Sequence, residues 1–163
     1  KEDFQIDLEL LRARSYGRLE GIKKYNELLK EVSKKYADNQ KAEGLNKIIS
    51  NINRKWKEPG TSSPSKDFKL IFVVGNTDFN KNDLLKIDTE INLALKTSNR
   101  VSFDVYNYQN KLLVIHDFKS KEKAENTALK IAKEIPELRL KNNFVVLSSQ
   151  YKNMLIYKTL DLN

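Results

Sequence analysis

Cysteine is absent from this chain of 163 residues. That excludes disulfides and thiolate metal sites. Histidine occurs once, at His116, so a zinc site lacks the second imidazole or thiolate it would need. No apolar run approaches the ~18 residues of a membrane-spanning helix. Glycine (5) and proline (3) are scarce, and two of the prolines stand close together, at Pro59 and Pro64. Gly75-Asn76-Thr77 lacks the Gly-Lys-Ser/Thr end of a phosphate loop and reads as a turn. Asp78, Asp83 and Asp88 recur at a spacing that does not match a calcium loop; they are expected to flank and cap a helix. A general base is conceivable at His116 with Asp117 or Asp104, but a strand-end histidine beside a turn is the simpler reading. No catalytic residue, cofactor site or metal site is expected.

The net charge is +8, split evenly between the halves, with acids interleaved throughout. A nucleic-acid binder gathers its cations into a patch or stripe; here the pattern is that of a solvated surface with a mild basic bias.

The clearest positive signal lies between Gly17 and Ile52. Gly17-Arg18-Leu19-Glu20-Gly21 is followed by Tyr25, Leu28, Leu29, Val32 and Tyr36, then by Ala42, Leu45 and Ile49. Small, aromatic and aliphatic residues recur at helical spacing, break near Asp38-Asn39 and resume. This is the pattern of a two-helix repeat of tetratricopeptide type, a unit that buries its apolar face only by stacking on neighbours. Upstream, Phe4, Leu8, Leu11, Ser15 and Leu19 continue one helical stripe toward Ile22, Leu29, Val32 and Tyr36. One long helix to Tyr36, or two helices abutting near Gly17, would satisfy it. Gly17, Gly21, Tyr25, Tyr36 and Trp56 are the expected repeat-packing residues, Trp56 closing the end of the pair.

Residues 57–67, rich in Pro, Gly, Ser and Thr, read as a linker between a helical domain at 1–56 and a second domain at 68–163. In the latter the period changes. Phe68–Val74 reads as a strand, Asn80 or Asn82 as the cap of a helix to about Lys96, and Val101, Phe103 and Val105 as a half-buried strand. Asn107–Asn110 turns the chain into a strand at Lys111–His116. Ser120 caps a helix that Pro136 stops; Asn143–Leu147 is a fourth strand, and 149–157 a short terminal helix. The order βαββαβ predicts an α+β fold: a tetratricopeptide-type helix pair, then a ferredoxin-like domain with a short C-terminal helix.

Arg12-Ala13-Arg14-Ser15-Tyr16-Gly17-Arg18-Leu19-Glu20-Gly21 with Tyr25, Val32, Tyr36 and the helix from Ala42 resembles the last repeat of the SprE/PorW-type tetratricopeptide lipoproteins. Phe68–Val74, Lys111–Phe118 and the tail from Phe144 to Ile156 resemble the end of the same family, which belongs to Bacteroidota with type IX secretion and gliding motility. The chain departs from the family in having Tyr36-Ala37 where a Tyr-Pro pair is common, and Gly44 where an Ala stands. The resemblance implies a non-enzymatic scaffold without a cofactor, at the periplasmic face of the outer membrane. It also implies that the scaffold links the translocon to other secretion and gliding components. The chain begins at Lys1 without a basic, apolar leader, so a signal or lipid anchor is expected outside it.

Three sheet strands are apolar without clear alternation, so the sheet face away from the two helices needs cover. Val101, Phe103 and Val105 should face the helices, leaving Ser102, Asp104 and Tyr106 opposite. Asp104, Tyr106, Tyr108, Tyr151 and Met154 are the candidate protein interface, the tyrosines at its rim, and helix 149–157 is the candidate lid. The rival reading is RNA binding. Leu70–Asn76 resembles the first strand motif of an RNA-recognition module, with Phe72 as the stacking ring, but Lys111–Phe118 lacks the aromatics such a module carries on its third strand.

Overall fold

A computed structural model describes residues 2–57, 66–96 and 99–160, without the side chains of 55–57, 81 and 84. It holds six α-helices and a four-stranded antiparallel sheet, helices first. Two compact units divide the chain: Lys1–Thr61 with Asn153–Asn163, and Ser62–Lys152. Residues 153–160 thus group with the helical unit. The expected linker lies largely outside the described residues, as does the side chain of Trp56.

The helical unit contains α1 (Glu2–Glu20), α2 (Ile22–Lys35) and α3 (Gln40–Lys57). The long stripe is broken at Gly21, whose φ of 94° belongs to the left-handed region that glycine alone enters cheaply. A Cβ there would come within 3.0 Å of the Ile156 carbonyl and 2.9 Å of Lys158 Cγ. The chain folds back, and α2 runs antiparallel to α1: Lys35 Nζ lies 2.6 Å from Glu9, which also accepts from the Tyr36 hydroxyl at 3.0 Å. At Gly17 a Cβ would stand 2.8 Å from Tyr25 Cβ, so the small residue is what lets the two helices close. Asn39 turns the chain into α3, its side chain accepting from Lys41 N. The core is Ile6 and Ala13 of α1, Leu28, Leu29, Val32 and Tyr36, and Ala42, Leu45 and Ile49. The apolar stripe of the sequence divides here. Phe4, Leu8 and Leu11 do not share this core but are exposed, because α1 meets α2 along the Ile6–Ala13 side.

In the other unit β1 (Phe68–Gly75), β2 (Val101–Val105), β3 (Asn110–Phe118) and β4 (Asn143–Leu147) pair in the order β2-β3-β1-β4, all neighbours antiparallel. The anchoring hairpin forms as expected, with Val101 opposite Ile115 and Val105 opposite Lys111. Helix α4 (Lys81–Leu95) follows β1. Its Asn80 cap makes a reciprocal capping box with Asp83, so Asn80 rather than Asn82 starts the helix. Helix α5 (Lys121–Glu134) is capped by Ser120 and ends before a 3₁₀ turn at Pro136–Leu138. Both helices cover one sheet face. Leu70, Phe72, Val74, Leu113 and Ile115 pack there with Ile87, Ile91, Ala124, Ala128 and Ile131, and Val101 and Phe103 lean on the same cluster. Val105 does not: at the strand end it is 51% exposed. Helix α6 (Ser148–Tyr157) follows β4, one residue earlier than expected.

Candidate functional site

The polar chemistry of the sheet unit gathers on the face away from α4 and α5. Alternation places it. Leu70, Val101 and Ile115 point toward the helices, so their neighbours Lys69, Arg100, Ser102 and His116 share the other face. A bulge completes the juxtaposition. Between Phe68 and Leu70 of β1 the register slips by one against β3, so His116 and Asp117 together oppose Lys69. Asp117 absorbs the extra residue at φ 70°. Bulges of this kind re-aim side chains, and here the imidazole is turned between two strands.

His116 is buried at 4% exposure, yet each polar atom around it is engaged. Lys69 Nζ lies 2.8 Å and Arg100 Nη2 3.0 Å from Nδ1. Both cations can only donate, so Nδ1 carries a lone pair and the proton sits on Nε2, which donates to Ser102 Oγ at 2.8 Å. The backbone is held as well: His116 N donates to Arg100 O at 2.9 Å and Asn99 Nδ2 donates to His116 O at 2.6 Å. Burial, and then the two neighbouring cations, push the imidazole down to about 4. Burial likewise lowers Lys69, against the pull of Asp117.

Beside this group, Asp104 of β2 accepts a short hydrogen bond from the Tyr151 hydroxyl. The Tyr151 ring lies under Lys69 Nζ, 5.8 Å from its centroid. Burial, then the bond to Asp104, raises the phenol far above its ordinary value. Tyr151 is therefore fixed as a neutral donor over the sheet.

Of the expected interface residues, Asp104 and Tyr151 are brought together. Tyr108 is exposed at the hairpin tip. Tyr106 is not at a rim: it lies past the end of β2 with only 2% exposed, its backbone N–H donating to Asn110 O within the turn. Met154 is half-buried and belongs to the helical unit. His116 is not at a strand end but inside β3. Phe72, the proposed stacking ring, is fully buried on the helix side of the sheet. Opposite it the face presents Ile71, Leu112 and Val114, all buried aliphatics. Sequence reasoning missed Lys69, Arg100 and Ser102 as partners of the histidine. The alternation of β2, extended back by one step, would have put Arg100 on the Ser102–Asp104 face.

Chemically the cluster is closed. The histidine lone pair is taken by two cations, and its proton by a hydroxyl. The phenol is committed to a carboxylate. Among the described residues, no group of His, Asp or Glu is placed to hold a metal ion. Comparison with protein-family models, with curated proteins and with solved structures finds no match.

Proposed function

We propose that the chain is a non-enzymatic adaptor that works through protein–protein contacts in type IX secretion and gliding. The observation that carries this reading is the packing of the residues that bear the family resemblance. Gly17 closes on Tyr25, and Leu28, Leu29, Val32 and Tyr36 meet Ala42, Leu45 and Ile49 in one antiparallel helical core. That arrangement supports a tetratricopeptide-type repeat, which presents surface rather than chemistry. The strand order β2-β3-β1-β4 with both crossover helices on one face supports a ferredoxin-like plan for the sheet unit. The mutual satisfaction of Lys69, Arg100, Ser102 and His116 fits a structural polar cluster, since a general base must keep its lone pair for a substrate. On this reading the adaptor is a lipoprotein at the periplasmic face of the outer membrane.

RNA recognition is less well supported. Stacking needs accessible rings on the central strands, but on the face away from the helices β1 and β3 carry the buried aliphatics Ile71, Leu112 and Val114, while Phe72 is turned into the core. Affinity purification of the full-length protein from its native envelope separates the readings. Enrichment of translocon and gliding components is expected. Recovery of RNA-associated proteins without any of them would reject the adaptor reading.

A further inference from the structure

Helix α1 is apolar on two sides. It buries Ile6 and Ala13 against its own unit, but Phe4, Leu8 and Leu11 on the other side are 67%, 50% and 59% exposed. With Ser15 these positions follow a single stripe at steps of four, three and four, the spacing of a seam between two helices. Scattered exposed leucines are ordinary, whereas a contiguous stripe on one helix marks a docking surface.

The charges beside the stripe say what fits it. Asp3, Asp7, Arg14 and Arg18 are all exposed. At ~100° per residue they fall on the same flank of the seam. Arg14 and Arg18 have no ion-pair or hydrogen-bond partner among the described residues. Asp7 is 3.0 Å from Lys41, and Asp3 accepts from Asn39 at 3.2 Å, but a carboxylate has lone pairs to spare. The order of these charges is antisymmetric about a centre between Leu10 and Leu11, close to the middle of the helix. Asp3 stands as far from the centre as Arg18, and Asp7 as far as Arg14. A second α1 laid antiparallel on the first therefore sets this flank against itself and acid against base, twice over by the two-fold axis, while a parallel copy turns the flank toward the opposite flank of its partner and makes none of these pairs.

We propose that two copies of this chain associate through α1, antiparallel about a two-fold axis. Phe4, Leu8 and Leu11 form the seam, and Asp7–Arg14 and Asp3–Arg18 pair across it. A helix of 19 residues is ~28 Å long, so the contact sits at the small end of specific interfaces and the affinity is modest, with a Kd of roughly tens of micromolar.

Sedimentation equilibrium of the chain from ~1 to ~500 μM tests this, bracketing that Kd. A reversible monomer–dimer equilibrium is expected, and Leu8→Lys, at an exposed position, should abolish it. Asp7→Arg and Arg14→Asp should each weaken dimerisation about tenfold, because like charges then face each other at two places. An equimolar mixture of those two variants should recover association, since every 7–14 contact in the mixed pair again joins Arg to Asp. Circular dichroism of each variant reads its fold independently. The proposal is overturned by a wild-type chain that stays monomeric throughout, by a dimer indifferent to Leu8→Lys, or by a mixture as dissociated as its components.

Discussion

Lowering the pH should destabilise the sheet unit through His116, and a variant without the imidazole should not reproduce that loss. The histidine titrates at about 4 in the folded chain against an ordinary 6.5. Between those values the unfolded chain holds a proton that the folded chain refuses, so stability falls as the pH falls. The contribution is fully present above about pH 6.5, is lost progressively down to about pH 4, and changes no further below both values. Each pH unit between the two is worth about 1.4 kcal/mol, which sets a ceiling of ~3 kcal/mol. Arg100 is exposed and solvent screens its repulsion, so a loss of ~2 kcal/mol is expected. The assay is urea unfolding of the wild type and His116→Gln at intervals from about pH 7.5 to 4.5, a range that covers most of the loss. Glutamine keeps one acceptor for the cations and one donor for Ser102. Glu9 and Asp78, held below the usual carboxylate range mainly by hydrogen bonds from Lys35 and Lys141, lose their contribution at the acid end in both proteins and cancel in the difference. Because the chain has one histidine, its titration can also be followed directly by NMR without assignment. A flat difference between the two proteins, or an imidazole that titrates near 6.5, would refute the geometry assigned to the cluster.

Tyr151→Phe leaves the Asp104 carboxylate without its phenol donor and should cost about 1–3 kcal/mol in urea unfolding, while Tyr108→Ser at the exposed hairpin tip should change stability by less than about 0.5 kcal/mol. Gly21→Ala must take a φ of 94° and set its Cβ 3.0 Å from the Ile156 carbonyl; a loss of at least ~1 kcal/mol is expected in thermal unfolding, and an unchanged melt would show that the α1–α2 break is not held there. Asn80→Ala removes the side-chain acceptor of the α4 capping box but keeps the residue-80 N–H that donates to Asp83, and should cost about 1 kcal/mol, read in the same melt.

What was legible in the sequence was whatever repeats with a period. Strand β2 alternates, so its pairing with β3 and its helix-facing Val101 and Phe103 could be read directly. Asn80 and Ser120 precede apolar-periodic runs, and both cap helices. The failures have local causes. The α1 residues Phe4, Leu8 and Leu11 read as one stripe with Leu29, Val32 and Tyr36, because periodicity shows that a face is apolar but not where the chain folds back. The bulge at Asp117 has no glycine to announce it, so Lys69 and Arg100 looked like ordinary solvated cations rather than partners of a buried imidazole. Tyr106 looked like a strand residue on an open face. The strand ends at Val105 and the turn carries the ring inward, so its burial depends on turn geometry that alternation does not encode.

The adaptor reading is tested most directly by site-specific photo-crosslinking in cells that carry type IX secretion. A photoreactive residue replaces Tyr108, the exposed ring of the candidate interface, in the full-length protein. Covalent products should contain a translocon or gliding component, identified by mass spectrometry, and should vanish in cells lacking that component. Crosslinks to RNA, or to no secretion or gliding component from an otherwise efficient crosslinker, would contradict it.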